Sequence, residues 1–358
     1  MSTLLALARP ELRALVAYQP ARYEPECIRL NANEAPWRAP NDASARGLNI
    51  YPPPRPVELG ERLAHYYGVT PAELLVTRGS SEGIDLLIRA FCVSGQDAIV
   101  ICPPTFGMYQ VYAAIQGASV RRVPLLREQG FALDEAALHA ALDAPTKLVF
   151  LCSPNNPTGN EVDHAAVARI CEAMRGRGLV ILDEAYFDFI EGPSLLSLRQ
   201  QHPHAVILRT LSKAHGLAGA RCGAVIADPD VIDLLARILP PYGLPTPTIE
   251  AALASLEGDT MALMRERIAA LRLQRTRMAA ALAALPGVRR VYPSVANFLL
   301  LEADDPAALV AAARSAGILI RDYSQDPDLP GAVRISIGTA EQNELLLSAL
   351  AREVAAHG

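Results

Sequence analysis

Three absences narrow what this chain of 358 residues can do before any motif is considered. Its six cysteines (27, 92, 102, 152, 171 and 222) form no Cys-x-x-Cys pair and no Cys/His cluster at metal-ligand spacing, which argues against a zinc module and leaves no metal to expect. Several of them sit inside apolar runs, as small core residues do, so a reduced, intracellular chain is expected. No run approaches the ~18 apolar residues of a membrane span, and the short apolar stretch over residues 1–10 has no basic flank leading to a cleavage site. A cytoplasmic protein without a membrane partner is the expectation. Charge of one sign is also missing: the formal net charge is −5 with both signs dispersed, which provides neither a basic face for nucleic acid nor a polybasic segment for lipid. The partners left are small molecules.

What the chain does have is length for about two domains and apolar content for a large core. The first residues are rich in proline, asparagine and alanine without periodicity and run into Tyr51-Pro52-Pro53-Pro54, which reads as an arm. From about Glu58 helices alternate with short apolar strands, at residues 98–102, 147–152, 179–182, 205–209 and 222–227, and this pattern predicts an α/β fold with a mostly parallel sheet covered on both faces. After Pro240-Pro241 come a long Ala/Leu/Arg helix over 260–284, strands near 291 and 297–301, a helix over 306–316, a strand over 333–337 and a last helix, a smaller α+β unit. We expect an arm over 1–44 joining the small domain, a large domain over 45–238 and a small domain over 239–358. No internal repeat is present.

In an open parallel sheet the residues just beyond the strand ends converge on one site. Ser212-Lys213 ends the run 205–211, with Arg221 eight residues further on. A lone lysine there is ordinarily a solvated loop charge; beside a hydroxyl and an arginine it is placed to hold an aldehyde bearing a phosphate. After 179–182 comes Asp183-Glu184-Ala185-Tyr186, where Asp183 is either a helix N-cap or the carboxylate facing a pyridine nitrogen, and Tyr186 can reach a ring phenolate. After 147–152 comes Ser153-Pro154-Asn155-Asn156-Pro157-Thr158-Gly159, a turn that presents the Asn156 amide to the same oxygen. Arg78-Gly79-Ser80-Ser81-Glu82-Gly83 precedes a helix whose N-terminus suits a phosphate. In Pro103-Pro104-Thr105-Phe106-Gly107-Met108-Tyr109, an aromatic ring can stack on the pyridine; Phe106 reads as ordinary packing and Tyr109 as the stacking ring. His202-x-His204 reads as a solvated loop, and His215 as a structural histidine with its hydrogen bonds satisfied.

These segments, with Leu30-Asn31-Ala32-Asn33-Glu34 and Arg334-Ile335-Ser336-Ile337-Gly338, identify a family. The chain resembles the fold-type I pyridoxal-phosphate aminotransferases over nearly its whole length, most closely their histidinol-phosphate branch. The resemblance implies a large domain with a mostly parallel seven-stranded sheet plus the smaller α+β domain, and pyridoxal 5'-phosphate as cofactor. It implies that Lys213 holds the cofactor covalently and then shuttles a proton, that Asp183 pairs with the pyridinium, Asn156 and Tyr186 with the phenolate, and that Tyr109 stacks on the ring. Ser80, Ser81, Ser212 and Arg221 would bind its phosphate, joined by Tyr51 from the neighbouring subunit of a homodimer. Arg334 would take the α-carboxylate of glutamate, Tyr18 and Arg321 the phosphate of histidinol phosphate, and Asn33 completes the substrate set. Without the resemblance, Arg321 and Arg334 are two strand-end arginines whose default is surface pairing. His215 departs from the family's aromatic after Ser-Lys-Ala, and Ala220 from its usual leucine. The implied activity is transamination between L-histidinol phosphate and 2-oxoglutarate in histidine biosynthesis. Its rivals are an aromatic amino acid aminotransferase, a threonine-phosphate decarboxylase, and a cofactor-binding regulator, for which no DNA-binding extension is present.

Overall fold

A computed structural model describes residues 3–22, 24 and 27–357, with side chains to residue 352. Seven strands form the larger sheet: β1 (Leu74–Thr77), β2 (Ala98–Ile101), β3 (Ser119–Arg122), β4 (Thr146–Cys152), β5 (Leu179–Asp183), β6 (Ala205–Thr210) and β7 (Gly223–Ile226). Their order is β1-β7-β6-β5-β4-β2-β3, parallel except where β7 runs against both β1 and β6. Four more make an antiparallel sheet in the order β10-β11-β9-β8, from β8 (Val288–Val291), β9 (Phe298–Ala303), β10 (Arg321–Asp322) and β11 (Ala332–Ser336).

The apolar runs become central strands because both their faces are covered. On β4, Leu148 and Phe150 enter one core layer and Val149 and Leu151 the other; on β5, Leu179 and Ile181 alternate with Val180 and Leu182 in the same way. Helices begin where a side chain caps them: Asp163, Asp228 and Asp305 each accept from a backbone N–H of the first turn, with proline directly following Asp228 and Asp305. Three strands lie outside the expectation: β1, β3, which at the sheet edge reads Ser-Val-Arg-Arg with no apolar run to betray it, and β10, two exposed residues long.

Side chains pack across two of the expected boundaries. Leu4 and Ala8 pack in the core layer that holds Leu234 and Leu235, the Arg9 N–H bonds Ala90 O at 3.0 Å, and Arg237 bonds Arg13 O at 3.2 Å. The start of the arm therefore lies on the large unit, not on the small one, because its few apolar residues are covered there. Leu244, Ile249 and Ala252 likewise belong to the large sheet's core, as do Tyr292, Leu300, Leu329 and Ala332. Packing thus does not divide at residues 238/239.

The histidine pair is another correction. His202 and His204 are buried, not in a solvated loop. Nε2 of His204 lies 2.6 Å from Cys171 O, so it carries the proton, and Nδ1 of His202 faces Arg175 at 3.3 Å. Burial holds both imidazoles below the ordinary histidine pKa. The unfolded chain then takes up protons near pH ~6.5 that the folded chain binds only at lower pH, so their contribution to stability is full above that value and falls as pH drops through the window. Urea midpoints measured at pH 7.5 and 5.5 should fall less steeply in His204→Gln than in the parent protein; equal slopes would refute the assignment.

Candidate active site

Beyond the carboxyl ends of β4, β5 and β6 lies a cavity of about 320 Å³ lined by Ser80, Ser81, Phe106, Cys152, Asn156, Asp183, Ala185, Tyr186, Thr210, Ser212, Lys213, Arg221 and Arg334. Nine of these are residues that sequence reasoning selected, brought together from six segments.

One end is a cup suited to an anion. Gly79 caps the helix Ser80–Phe91 at φ +77°, and a Cβ there would come within 2.7 Å of Nη2 of Arg221. Glycine thus lets a guanidinium lie across a helix N-terminus whose first N–H groups have no partner within the helix. Arg221 is itself held at φ +59°, an uncommon conformation for a side chain of this size, and donates to Ser212 Oγ at 3.2 Å and Ala218 O at 3.2 Å. Gly223 supports the cup from below, since a Cβ would fall 2.7 Å from Arg209 O and from Ser80 N.

Asp183, the last residue of β5, is almost fully buried. Its Oδ2 accepts from the Tyr109 hydroxyl at 2.7 Å and its Oδ1 from Ala185 N–H at 3.1 Å. Burial pushes its pKa up, while those two donors and the charge of Lys213 pull it down. Lys213 Nζ stands 5.2 Å from the centroid of the Tyr186 ring. Burial, then the Arg334 charge, lowers its pKa, and Asp183 opposes them. An amine so placed loses its proton more readily than a surface lysine.

The turn after β4 is braced by Asn155, which donates to Pro104 O at 2.8 Å and Thr158 Oγ1 at 2.7 Å and accepts from Thr105 Oγ1 at 2.9 Å. Asn156 is thereby turned into the cavity, where its Oδ1 accepts from Arg334 of β11, leaving the amide N–H₂ to donate to a ligand. Tyr186 packs edge-on against Phe298, and burial raises its pKa, so the hydroxyl is a donor at neutral pH.

Five predicted residues do not line this cavity. Tyr109 is fully buried beneath it, stacked on Phe150 at 4.8 Å with its hydroxyl spent on Asp183, so it cannot stack on a ligand ring. Phe106 takes the place at the cavity wall, standing edge-on to Tyr109 at 5.6 Å. The signal was in the sequence: Tyr109 and Ala113, four apart, form the buried face of the helix Met108–Gln116, whereas Phe106 precedes it in the loop. Arg321 is exposed on β10, directly opposite Arg334 of β11. Tyr18 and Tyr51 are exposed on the arm; Asn33 sits there with φ +56°. His215 also lies outside the cavity, edge-on to Tyr66 at 5.5 Å, with its Nε2 buried and without a hydrogen-bond partner.

The profile of the aminotransferase class I and II family matches residues 18–350. The chain belongs to the class I and II aminotransferases. It is 45% identical over 358 residues to the histidinol-phosphate aminotransferase of Stenotrophomonas maltophilia, covering 99% of this chain and 98% of that protein. The enzyme of the same name from Xylella fastidiosa is 45% identical over 352 residues, 97% of this chain and 96% of its own. Among solved structures, the histidinol-phosphate aminotransferase of Sinorhizobium meliloti in complex with pyridoxal-5'-phosphate superposes with a TM-score of 0.78 at 25% identity, covering 87% of this chain and 84% of that one. The cavity of this aminotransferase fits such a cofactor on its own chemistry: a cup for a phosphate, an amine for an aldehyde, a buried carboxylate for a ring nitrogen, and two donors for a phenolate.

Proposed function

We propose that this cavity carries out the reversible transfer of an amino group between L-histidinol phosphate and 2-oxoglutarate, giving imidazole acetol phosphate and L-glutamate, as a step of histidine biosynthesis with pyridoxal 5'-phosphate as cofactor. The observation that carries the reading is the placement of Lys213, Asp183 and the Gly79–Arg221 cup around one cavity that Arg334 reaches from the second sheet. The cofactor supplies an aldehyde to receive the amino group and a ring that takes up the electron pair released at the substrate α-carbon.

The side chains do the rest. Ser80, Ser81, Ser212 and Arg221 hold the phosphate against the helix N-terminus. Asp183 keeps a proton on the ring nitrogen, and the Tyr109 hydroxyl fixes its orientation from below. Asn156 and Tyr186 would donate to the phenolate, and Phe106, at the cavity wall, would pack on the ring. The Lys213 amine would hold the cofactor aldehyde and, as the lysine lining the cavity, would serve as the base that takes the proton from the substrate α-carbon. Arg334 binds the α-carboxylate, and Arg321, Tyr18 and Asn33 serve the phosphorylated substrate at the outer edge. Tyr51 reaches the phosphate of a second copy in a cytoplasmic homodimer. In support of the dimer, Arg29 and Glu34 grip the Tyr51 backbone at 3.2 and 2.7 Å while its side chain stays half exposed, and Ile28, Leu30 and Trp37 of the same arm are exposed apolar groups. We place the working division into domains beyond residue 256, where the long helix Gly258–Ala283 begins.

The test is a half-reaction. L-Histidinol phosphate, phenylalanine and threonine phosphate, each added separately to the cofactor-loaded protein, are followed by loss of the visible absorbance. Rapid bleaching by histidinol phosphate, at least ~100-fold more efficient than by phenylalanine, is expected. Bleaching by phenylalanine with equal efficiency, or release of carbon dioxide from threonine phosphate, would replace the proposed substrate.

A further inference from the structure

Tyr323 follows β10 directly, and its ring lies within reach of both arginines of the substrate edge. Its ring centroid lies 5.5 Å from Cζ of Arg321 and 5.7 Å from Cζ of Arg334, and its hydroxyl accepts from Nη1 of Arg334 at 3.3 Å. The backbone holds the ring in place: Tyr323 N–H bonds Ala332 O at 3.0 Å, and Tyr323 O accepts from Asp326 N–H at 2.8 Å. Arg321 and Arg334 are register partners across β10 and β11, so two like charges face each other on neighbouring strands. Directly opposed like charges destabilise a strand pair, and an aromatic ring within cation–π reach of both guanidiniums offsets part of that repulsion.

The chemistry of the partners matters as much as the geometry. Arg334 is oriented by neutral groups: Asn156 Oδ1, the Tyr323 hydroxyl, and the Phe298 ring at 5.2 Å from its Cζ. A carboxylate in place of the phenol would orient the guanidinium equally well but cancel the charge that a substrate carboxylate needs. We infer that Tyr323 is a positioning residue for the substrate site, holding Arg334 toward the substrate carboxylate without neutralising its charge. The inference rests on the roles proposed above for the two arginines.

Two variants separate the hydroxyl from the ring. Tyr323→Phe keeps the packing and loses the hydrogen bond; Tyr323→Leu loses both. Calorimetric titration of the cofactor-loaded protein with succinate, a dicarboxylate that binds without turnover, should show affinity weakened about 3–10-fold in Tyr323→Phe. The half-reaction with glutamate should show its half-saturating concentration raised by a similar factor and its maximal rate within about twofold of the parent. Tyr323→Leu should weaken both succinate and histidinol phosphate by more than about tenfold. Succinate affinity within about twofold of the parent in Tyr323→Phe, or a loss confined to the maximal rate, would overturn the inference. If Tyr323→Leu does not fold, the phenylalanine variant decides alone. If the parent fails to react with histidinol phosphate, the substrate reading falls, while the succinate comparison still decides whether Tyr323 acts through Arg334.

Discussion

Lys213→Ala is expected to lower turnover of glutamate with imidazole acetol phosphate by at least about a thousandfold. The residue does two things that no neighbour can take over. Its amine is the only lysine nitrogen among the groups lining the cavity, so it alone can hold an aldehyde there covalently. It also stands 5.2 Å from the Tyr186 ring, and burial and the Arg334 charge lower its pKa, so it gives up its proton more readily than a surface lysine. The rest of the cup does not depend on it. Arg221, Ser212 and the helix start at Ser80 are fixed by Gly79, Thr210 and Gly223, so the variant should still bind the cofactor phosphate, without the absorbance of the covalent form. Single-turnover kinetics and visible spectra check both halves. Turnover within about tenfold of the parent would remove Lys213 from the chemistry.

Arg209→Met is expected to destabilise the fold by about 3–5 kcal/mol. Arg209 on β6 and Glu184 just after β5 form an ion pair at 2.7 Å, with their side chains 4% and 2% exposed. The carboxylate also accepts from Ser194 Oγ and Leu195 N–H, and the guanidinium lies over the Phe187 ring at 3.9 Å. Removing the arginine leaves a negative charge buried with only two neutral donors. Glu184→Leu combined with Arg209→Met should cost less than the two single losses added, because no charge then stays behind. Guanidinium unfolding of the two single variants and the double gives the answer, and a loss below about 1 kcal/mol for Arg209→Met would show the pair to be no more than a surface bridge. The position makes the pair matter for activity as well, since Glu184 follows Asp183 directly and its N–H bonds Leu208 O at 3.0 Å, locking together the two strand ends that present Asp183 and Lys213.

Much of the site was legible without coordinates, because the fold places function at one repeated position. An apolar run buried on both faces must be a central strand, and the polar residues directly after it must emerge at the sheet's carboxyl edge. That rule alone brought Asn156, Asp183, Ser212 and Lys213 to one place. It failed for Tyr109, whose position after β2 looked equivalent. A helix begins at Met108 and turns that side chain into the core, and the loop residue Phe106 is left at the wall. It failed also for β3, an edge strand whose arginines give no apolar signal, and for the buried His202 and His204, whose type suggests exposure.

The sequence by itself determined the mostly parallel sheet, the strand ends that line the candidate site and the lysine proposed to react there, since these follow from the period of apolar residues and from groups adjacent along the chain. Only the tertiary structure decided which aromatic ring lines the cavity, that Gly79 makes room for Arg221, and that Arg334 reaches Asn156 from another sheet with Tyr323 beside it. These are contacts between residues 11 to 178 positions apart, set by how helices, strands and loops close on one another, and no local pattern encodes such distances.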